Sequence, residues 1–362
     1  MSTGKIQVNS FELRAAASVF LAASATLEAA QFARLGFPIT FAFSQVALAP
    51  ILVELARLAN NCAIAADNYE RCEIGLGPAF IFDFEAMEPM LAQTLAGSAL
   101  TALSRLGLGE TPVAAPKVGG MESSAPTNLQ ELLTKLHQTS TSGQIWLEQT
   151  QQGQDAAQSA RHFNLYLPGT KSANPFDNSE VFGAASDLAA FANPNGGAFS
   201  SGPERAALAA LKEAGFGTRA GDSLTLVGYS EGALAGANLA SSGAAVALGG
   251  SVIGLVAVGG PISNRAIPAG IKVVSLEHRG DLVPKLDLAE HSSSGNWTTV
   301  KLKDVPGDGL KQHEFAGYQK SVNQLGADSS RQLNQKIAGL LGTGKTKVSR
   351  YQPVRLGITA AP

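Results

Sequence analysis

The stretch Ser223–Ala240, SLTLVGYSEGALAGANLA, decides the fold prediction for this chain of 362 residues. A continuous apolar run, Leu224–Val227, leads through Gly228, Ser230 and Gly232 into an alanine-rich segment that is typical of a buried helix. This is G-x-S-x-G in a strand–turn–helix context, in which the glycines let neighbouring backbone approach a strained serine turn without Cβ clashes. The pattern predicts a nucleophile elbow with Ser230 as the nucleophile.

A serine nucleophile needs a base, and the base needs an orienting carboxylate, which in this context follow in the order acid, then histidine. Asp281 lies just after the strand-like run KVVSLEH, at the sheet edge where active-site groups collect, although a solvated turn aspartate is the alternative. Of five histidines, only His291, in a Ser-rich turn, and His313, before the final helix, follow Asp281. We predict Asp281 as the acid and His313 as the base, with helix capping as the alternative for the histidine. Asp287 and Glu277 are the reserve acids.

An oxyanion hole needs backbone N–H donors beside the nucleophile. Glu231, the residue after the serine, supplies one donor. The LPGT turn after the strand HFNLYL supplies a second from Thr170 or Gly169, and an ordinary turn is the alternative. The long segment 171–202 is rich in Asn, Pro, Gly and Ser, so we expect a lid or a specificity loop there.

The composition and the hydrophobic periodicity of the sequence change along its length. Residues 1–110 show helical patterns rich in small residues, which predict an all-α domain. Residues 111–128 are rich in Gly, Pro and Ser and lack periodicity, which predicts a linker. Short apolar runs then alternate with helical segments, which predicts a three-layer α/β domain with a mostly parallel sheet over 129–345, followed by a tail over 346–362.

Six strands and three helices are predicted in the α/β domain. The strand candidates are Gln144–Gln149, Phe163–Leu167, Ser223–Gly228, Val252–Val258, Ile271–Leu276 and Trp297–Leu302. The helical candidates are Pro203–Ala214, Glu231–Leu248 and His313–Gly339.

Composition and charge exclude several classes of function. The chain is 45% apolar and 15% charged, which predicts a packed core rather than disorder. A net charge of −2 lacks the basic footprint of proteins that bind nucleic acid or an anionic membrane surface. The longest uncharged apolar stretch contains two prolines, so no transmembrane helix is expected. Glu12 and the weakly hydrophobic run Ala15–Leu27 argue against a cleaved signal peptide.

No metal or cofactor is expected. The chain has only two cysteines, Cys62 and Cys72, which lie far from most histidines in the sequence, and it has no H-x-x-x-H pair. On one helix the two cysteines would lie about 15 Å apart, beyond the roughly 7 Å limit for a disulfide, and the redox compartment stays open. Residues 339–346, GLLGTGKT, match the phosphate-binding P-loop pattern, but a P-loop must join a strand to a helix and feed a nucleotide-binding sheet. We therefore expect no nucleotide binding, and the RGD tripeptide at 279–281 is interpreted as coincidence.

A series of motifs extends in order over roughly residues 140–325. They are LPGT at 167–170, NPFD at 174–177, the LVGYSEGALA elbow, AVGGPI at 257–262, SLEHRGDLVPKLD at 275–287, WTTV and HEFAGY. In these motifs the chain resembles a family of actinobacterial serine hydrolases of the α/β-hydrolase superfamily. The resemblance implies Ser230, Asp281 and His313 as nucleophile, acid and base, and ester hydrolysis as the activity. Many relatives carry Gln in place of Glu231, where only the N–H is used.

The amino-terminal region is similar to the helical hairpins carried by type VII secretion substrates. Tyr69 and Glu73 fit the Y-x-x-x-[DE] secretion signal of those proteins, whereas the turn at 34–38 lacks their Trp-x-Gly. A Tyr and a Glu four residues apart are also a common surface pair on a helix. The resemblance implies a secreted or cell-envelope protein with a secretion-system or helical partner, and a cytoplasmic location is the alternative.

The leading expectation is a serine esterase or lipase-like hydrolase that cleaves carboxylic esters through an acyl-enzyme. One alternative is a type VII secretion-associated interaction or effector protein whose hydrolase scaffold is not catalytic. The other is an acyltransferase that uses the same triad.

Overall fold

The computed structural model describes residues 112–151, 159–171, 180–183, 201–287, 295–307 and 309–356, together with 186, 190 and 289. The predicted helical domain, including Tyr69, Glu73 and both cysteines, lies outside the described residues, as does His291.

Eight strands pair into one sheet. They are β2 Lys117–Ser124, β3 Ile145–Gln151, β4 Arg161–Leu167, β5 Ser223–Tyr229, β6 Ser251–Val258, β7 Lys272–His278, β8 Trp297–Leu302 and β9 Lys345–Tyr351. Their order is β2-β9-β3-β4-β5-β6-β7-β8. Neighbours from β4 to β8 are parallel, whereas β2, β9, β3 and β4 pair antiparallel. The predicted α/β class with a mostly parallel sheet is confirmed. The short strands β1 Val113–Ala114 and β10 Val354–Arg355 form a separate pair.

Helices cover both faces of the sheet. They are α1 Leu129–Ser142, α2 Gly202–Glu213, α3 Glu231–Ser242, α4 Gly309–His313, α5 Phe315–Asn323 and α6 Ala327–Ala338. Helices α2 and α3 pack on one face, and α1, α5 and α6 pack on the other. Along β5, Leu224 and Leu226 enter the first apolar cluster and Val227 enters the second, the alternation of a strand buried on both faces. Within the described residues, no helix is long and apolar enough to cross a bilayer.

All six predicted strands are present, with small differences at their ends. The prediction of one helix over His313–Gly339 is wrong, because Glu314 and Gly326 have extended ψ angles of 132° and 153° and divide the segment into α4, α5 and α6. The predicted helix over Glu231–Leu248 ends early, where Gly243 adopts the left-handed region at φ 68°. The remaining turn of that segment is a 3-10 helix, Val246–Leu248.

Two segments predicted to lie outside the sheet belong to it. Strand β2 falls within the predicted linker 111–128, and β9 occupies the start of the predicted tail 346–362, so both predictions are wrong for these residues. Strand β2 lies at the sheet edge with most of its side chains exposed, so it has no hydrophobic alternation. It forms by pairing with β9, from Ser124 opposite Lys345 to Lys117 opposite Tyr351. Because β9 is distant in the sequence, the local pattern around β2 does not predict this pairing.

Candidate active site

Strand β5 ends in a strained turn at Ser230, which precedes α3. Ser230 has φ 53° and ψ −119°, and it is the only non-glycine residue with a positive φ among those that the structure describes. Such a conformation costs roughly 1–3 kcal/mol for a residue with a Cβ. The Ser230 N–H donates to Val258 O at the end of β6 at 2.9 Å. Neighbouring strand ends therefore hold the serine at the carboxyl edge of the sheet, where ligands of α/β sheets bind.

The two glycines of the pattern are required by close backbone packing. A Cβ on Gly228 would lie 2.3 Å from the carbonyl carbon of Gly232. A Cβ on Gly232 would lie 2.3 Å from Leu167 O and 2.4 Å from Pro168 O, in the turn after β4. Carbon atoms in favourable contact are about 3.5–4.0 Å apart, so a side chain fits at neither position. The elbow and the LPGT turn are thus packed directly against each other.

Three side chains that the sequence singled out converge at this edge. His313 Nε2 lies 2.8 Å from Ser230 Oγ, and His313 Nδ1 lies 2.8 Å from Asp281 Oδ2. Asp281 follows β7 and is fully buried, and His313 ends α4. Because a carboxylate only accepts hydrogen bonds, Nδ1 carries the proton of the neutral imidazole, and Nε2 accepts the Ser230 proton. The same contacts join the nucleophile, the base and the orienting acid of known serine triads.

The Asp281 carboxylate is held by three donors. Its Oδ1 accepts the Val283 N–H at 2.9 Å, and its Oδ2 accepts both the His313 Nδ1–H and the Tyr318 O–H, the latter at 2.6 Å. Burial, and then the charge of Asp281, raise the pKa of Tyr318 far above its usual value, so this phenol stays a donor. The sequence prediction did not include Tyr318, which was visible only as the aromatic residue of HEFAGY.

A second tyrosine fixes the orientation of the imidazole. The ring of Tyr229 stacks on that of His313, with centroids 5.3 Å apart, and its O–H donates to His313 O at 2.5 Å. Phe315 packs edge-on against Tyr229 at 4.9 Å. A Cβ on Gly169 would lie 2.7 Å from Tyr229 Cδ1, so the absence of a side chain there leaves room for the ring. Tyr229 occupies a variable position of G-x-S-x-G, so the motif gave no signal for this contact.

A cavity of about 300 Å³ opens onto Ser230. Its lining includes Thr170, Tyr229, Glu231, Leu234, Pro261, Val283, Leu286 and His313. The predicted oxyanion-hole residues therefore lie beside the serine hydroxyl, and four apolar side chains form much of the remaining wall. Leu286, in the 3-10 helix Val283–Asp287, is half exposed. Most of the predicted lid, 171–202, lies outside the described residues.

The reserve acids have other partners. Asp287 accepts the backbone N–H groups of Ser263 and Ala289, and burial raises the pKa of its carboxyl group. Glu277 accepts from Lys301 Nζ at 2.5 Å and from a neighbouring serine. Because Asp281 already occupies the Nδ1 side of the imidazole, neither reserve acid takes the orienting position.

The P-loop-like run at 339–346 leads from α6 into β9, a helix-to-strand order opposite to that of a P-loop. The Thr346 hydroxyl of this run is used within the core, where it donates to Glu148 Oε1 at 2.8 Å. Within the part of the chain that the structure describes, no group of three or more His, Cys, Asp or Glu residues has the arrangement of a metal site.

No protein-family model and no curated protein matches this chain.

Proposed function

We propose that this protein is a serine hydrolase of the α/β-hydrolase type that cleaves carboxylic esters through an acyl-enzyme. The observation that carries the proposal is the continuous hydrogen-bond chain from Ser230 through His313 to the buried Asp281. It begins at a serine in a conformation that side chains rarely adopt, and such strain is typical of functional sites. The same serine opens onto a cavity, as an attack on a bound substrate requires.

The proposed reaction has two halves. His313 Nε2 takes the proton of Ser230 while Oγ attacks the ester carbonyl, and Asp281 stabilises the resulting imidazolium. The backbone N–H groups of Glu231 and Thr170 hold the oxyanion. The alcohol leaves with the proton from Nε2. The same imidazole then deprotonates a water molecule, which attacks the acyl-enzyme and releases the acid together with free Ser230.

The walls of the cavity favour an apolar acyl group, as in a lipid or another acyl ester. Leu234, Pro261, Val283 and Leu286 present hydrocarbon next to the serine. Each methylene that enters such a wall contributes about 0.8 kcal/mol, or about fourfold in binding. We therefore expect kcat/KM to rise with acyl length over the first members of an ester series and to level off when the cavity is filled.

The test is the hydrolysis of p-nitrophenyl esters of increasing acyl length, with fluorophosphonate labelling of the same samples. Wild type is compared with Ser230→Ala, His313→Ala and the control Ser251→Ala, an exposed serine at the start of β6. We expect turnover and labelling in the wild type and the control, and loss of turnover in the two site variants. Labelling that survives Ser230→Ala would refute the assignment of the nucleophile. A folded wild type with neither turnover nor labelling would refute catalysis and favour the interaction-protein alternative.

A further inference from the structure

The fully buried Tyr318, on α5, donates to the same oxygen atom of Asp281 as the imidazole of His313. The Tyr318 O–H donates to Asp281 Oδ2 at 2.6 Å, and this Oδ2 also accepts the His313 Nδ1–H at 2.8 Å. The direction of the first bond is fixed, because an ionised carboxylate has no hydrogen to donate. The phenol oxygen also accepts the backbone N–H of His278 at 3.3 Å. Tyr318 thus donates to the same carboxylate oxygen that accepts the N–H of His313.

The phenol ring is locked by a second imidazole. The His278 ring stacks on it with centroids 4.2 Å apart and an angle of 19°. His278 Nδ1 lies 2.6 Å from the carbonyl oxygen of Gln312, which can only accept, so this nitrogen carries a proton. His278 Nε2 lies 2.9 Å from Ser321 Oγ on α5. His278 therefore connects three elements around the Tyr318 ring: the end of β7, helix α5 and the last turn of α4. The α4 residue that it contacts, Gln312, directly precedes His313.

We propose that Tyr318 is a positioning residue that acts on His313 through Asp281, by drawing negative charge away from Oδ2. A carboxylate oxygen that receives a second hydrogen bond binds the first donor less strongly, because its charge is shared between the two. Tyr318 therefore limits how far Asp281 stabilises the imidazolium.

The substitution Tyr318→Phe tests this contact. It keeps the ring that packs on His278 and removes the hydroxyl, which donates to Asp281 and also accepts the backbone N–H of His278. Other ionisable groups around the pair include Tyr229, Glu314, Glu277 and His278, and the substitution replaces none of these side chains.

A matched control is Tyr166→Phe. Tyr166 is also fully buried, and its O–H donates to the buried carboxylate of Glu148 at 2.8 Å, outside the proposed site. It loses an equivalent hydrogen bond, so a general loss of stability would affect both variants alike. Only Tyr318→Phe removes a donor from Asp281.

The first measurement is the ¹H NMR titration of the His313 imidazole in wild type, Tyr318→Phe and Tyr166→Phe, with His313→Ala to assign the resonance. Removal of the donor concentrates charge on Oδ2, so the midpoint should move upward by roughly 0.5–1 pH unit in Tyr318→Phe only. No shift, a downward shift, or an equal shift in Tyr166→Phe would each overturn the proposal. This readout needs no turnover, so it stays decisive even where the proposed hydrolase function fails.

The second measurement is the pH profile of kcat/KM, which rests on the proposed function. The midpoint of its acidic limb should move to higher pH by the same amount as the midpoint of the His313 titration. At a pH below the midpoint, kcat/KM should therefore fall by roughly three- to tenfold, since one pH unit is a tenfold change in protonation. KM should stay unchanged because Tyr318 is fully buried. An acidic limb that stays in place while the titration midpoint moves would overturn the catalytic consequence.

Discussion

One methyl group added at Gly169 should disable the proposed site without altering any triad residue. Its Cβ would lie 2.7 Å from Tyr229 Cδ1, 2.9 Å from Tyr229 Cε1 and 3.3 Å from Ser230 Cβ. Ordinary carbon contacts are about 3.5–4.0 Å, so the Tyr229 ring must move by roughly 1 Å. It cannot move alone, because its hydroxyl bonds to His313 O and its face stacks on the imidazole. The φ of Gly169 is not positive, so the backbone itself accepts alanine.

The expected effect follows from the size of that displacement. A shift of about 1 Å in a group that must meet the reacting atoms costs about 100-fold, so kcat/KM of Gly169→Ala should fall by that factor. Overpacking should also cost about 1–3 kcal/mol of unfolding free energy, which lowers the Tm by about 2–4 °C for each kcal/mol. Ester hydrolysis, the rate of fluorophosphonate labelling and calorimetry measure these effects. Gly270→Ala is the control, because a Cβ there has no neighbour within 4 Å.

The proposed route through Tyr229 has its own test. In a Tyr229→Leu background the ring is absent, so Gly169→Ala should add only a small further loss of kcat/KM and of stability. If Gly169→Ala alone keeps the wild-type kcat/KM, or if the double variant loses a further 100-fold, the ring does not transmit the effect.

Two other predictions concern stability. Ser230→Gly should have a free energy of unfolding about 1 kcal/mol higher than that of Ser230→Ala, because only glycine adopts φ 53° without a Cβ penalty. Urea denaturation measures both values, and equal stabilities would contradict the claim of strain. Although burial raises the pKa of Asp222, the hydrogen bonds and charge of Arg161 outweigh it and hold that pKa below its usual 3.8. This contribution to stability is therefore present above about pH 3.8 and lost as the pH falls through the lower pKa of the folded protein. Asp222→Asn should flatten the acid side of the curve of unfolding free energy against pH, and an unchanged slope would contradict the assignment.

The elbow and the residues that meet it were predictable because their signals are local. The apolar run of β5, the two glycines around Ser230 and the helix after it occupy one short stretch, and steric rules fix the turn. Asp281 and His313 could be ranked because the ends of parallel strands gather at one edge of a sheet. A local signal for α1 also exists: Asn128 followed three residues later by Glu131 is the pattern of a helix N-cap, and the Asn128 side chain accepts the Glu131 N–H.

The remaining features depend on distant partners. Strand β2 has a composition typical of a linker and is a strand only because β9 pairs with it. Tyr318 reaches Asp281 because the backbone extends at Glu314 and redirects α5, an angle that periodicity does not encode. The Tyr229 ring fits against the imidazole because Gly169 has no side chain to collide with it. Contacts of this kind arise from the packing of elements, so they follow from the fold rather than from a motif.

The place of β9 in the sheet bears on how the chain is synthesised. β9 lies between β2 and β3, yet its residues are made roughly 190 positions after β3, which takes about 10–40 s at 5–20 residues per second. During that interval on the ribosome, the β3 edge that later binds β9 is an open template for other strands. A nascent chain that stops before Lys345 would therefore be expected to aggregate, rather than to yield a smaller active protein.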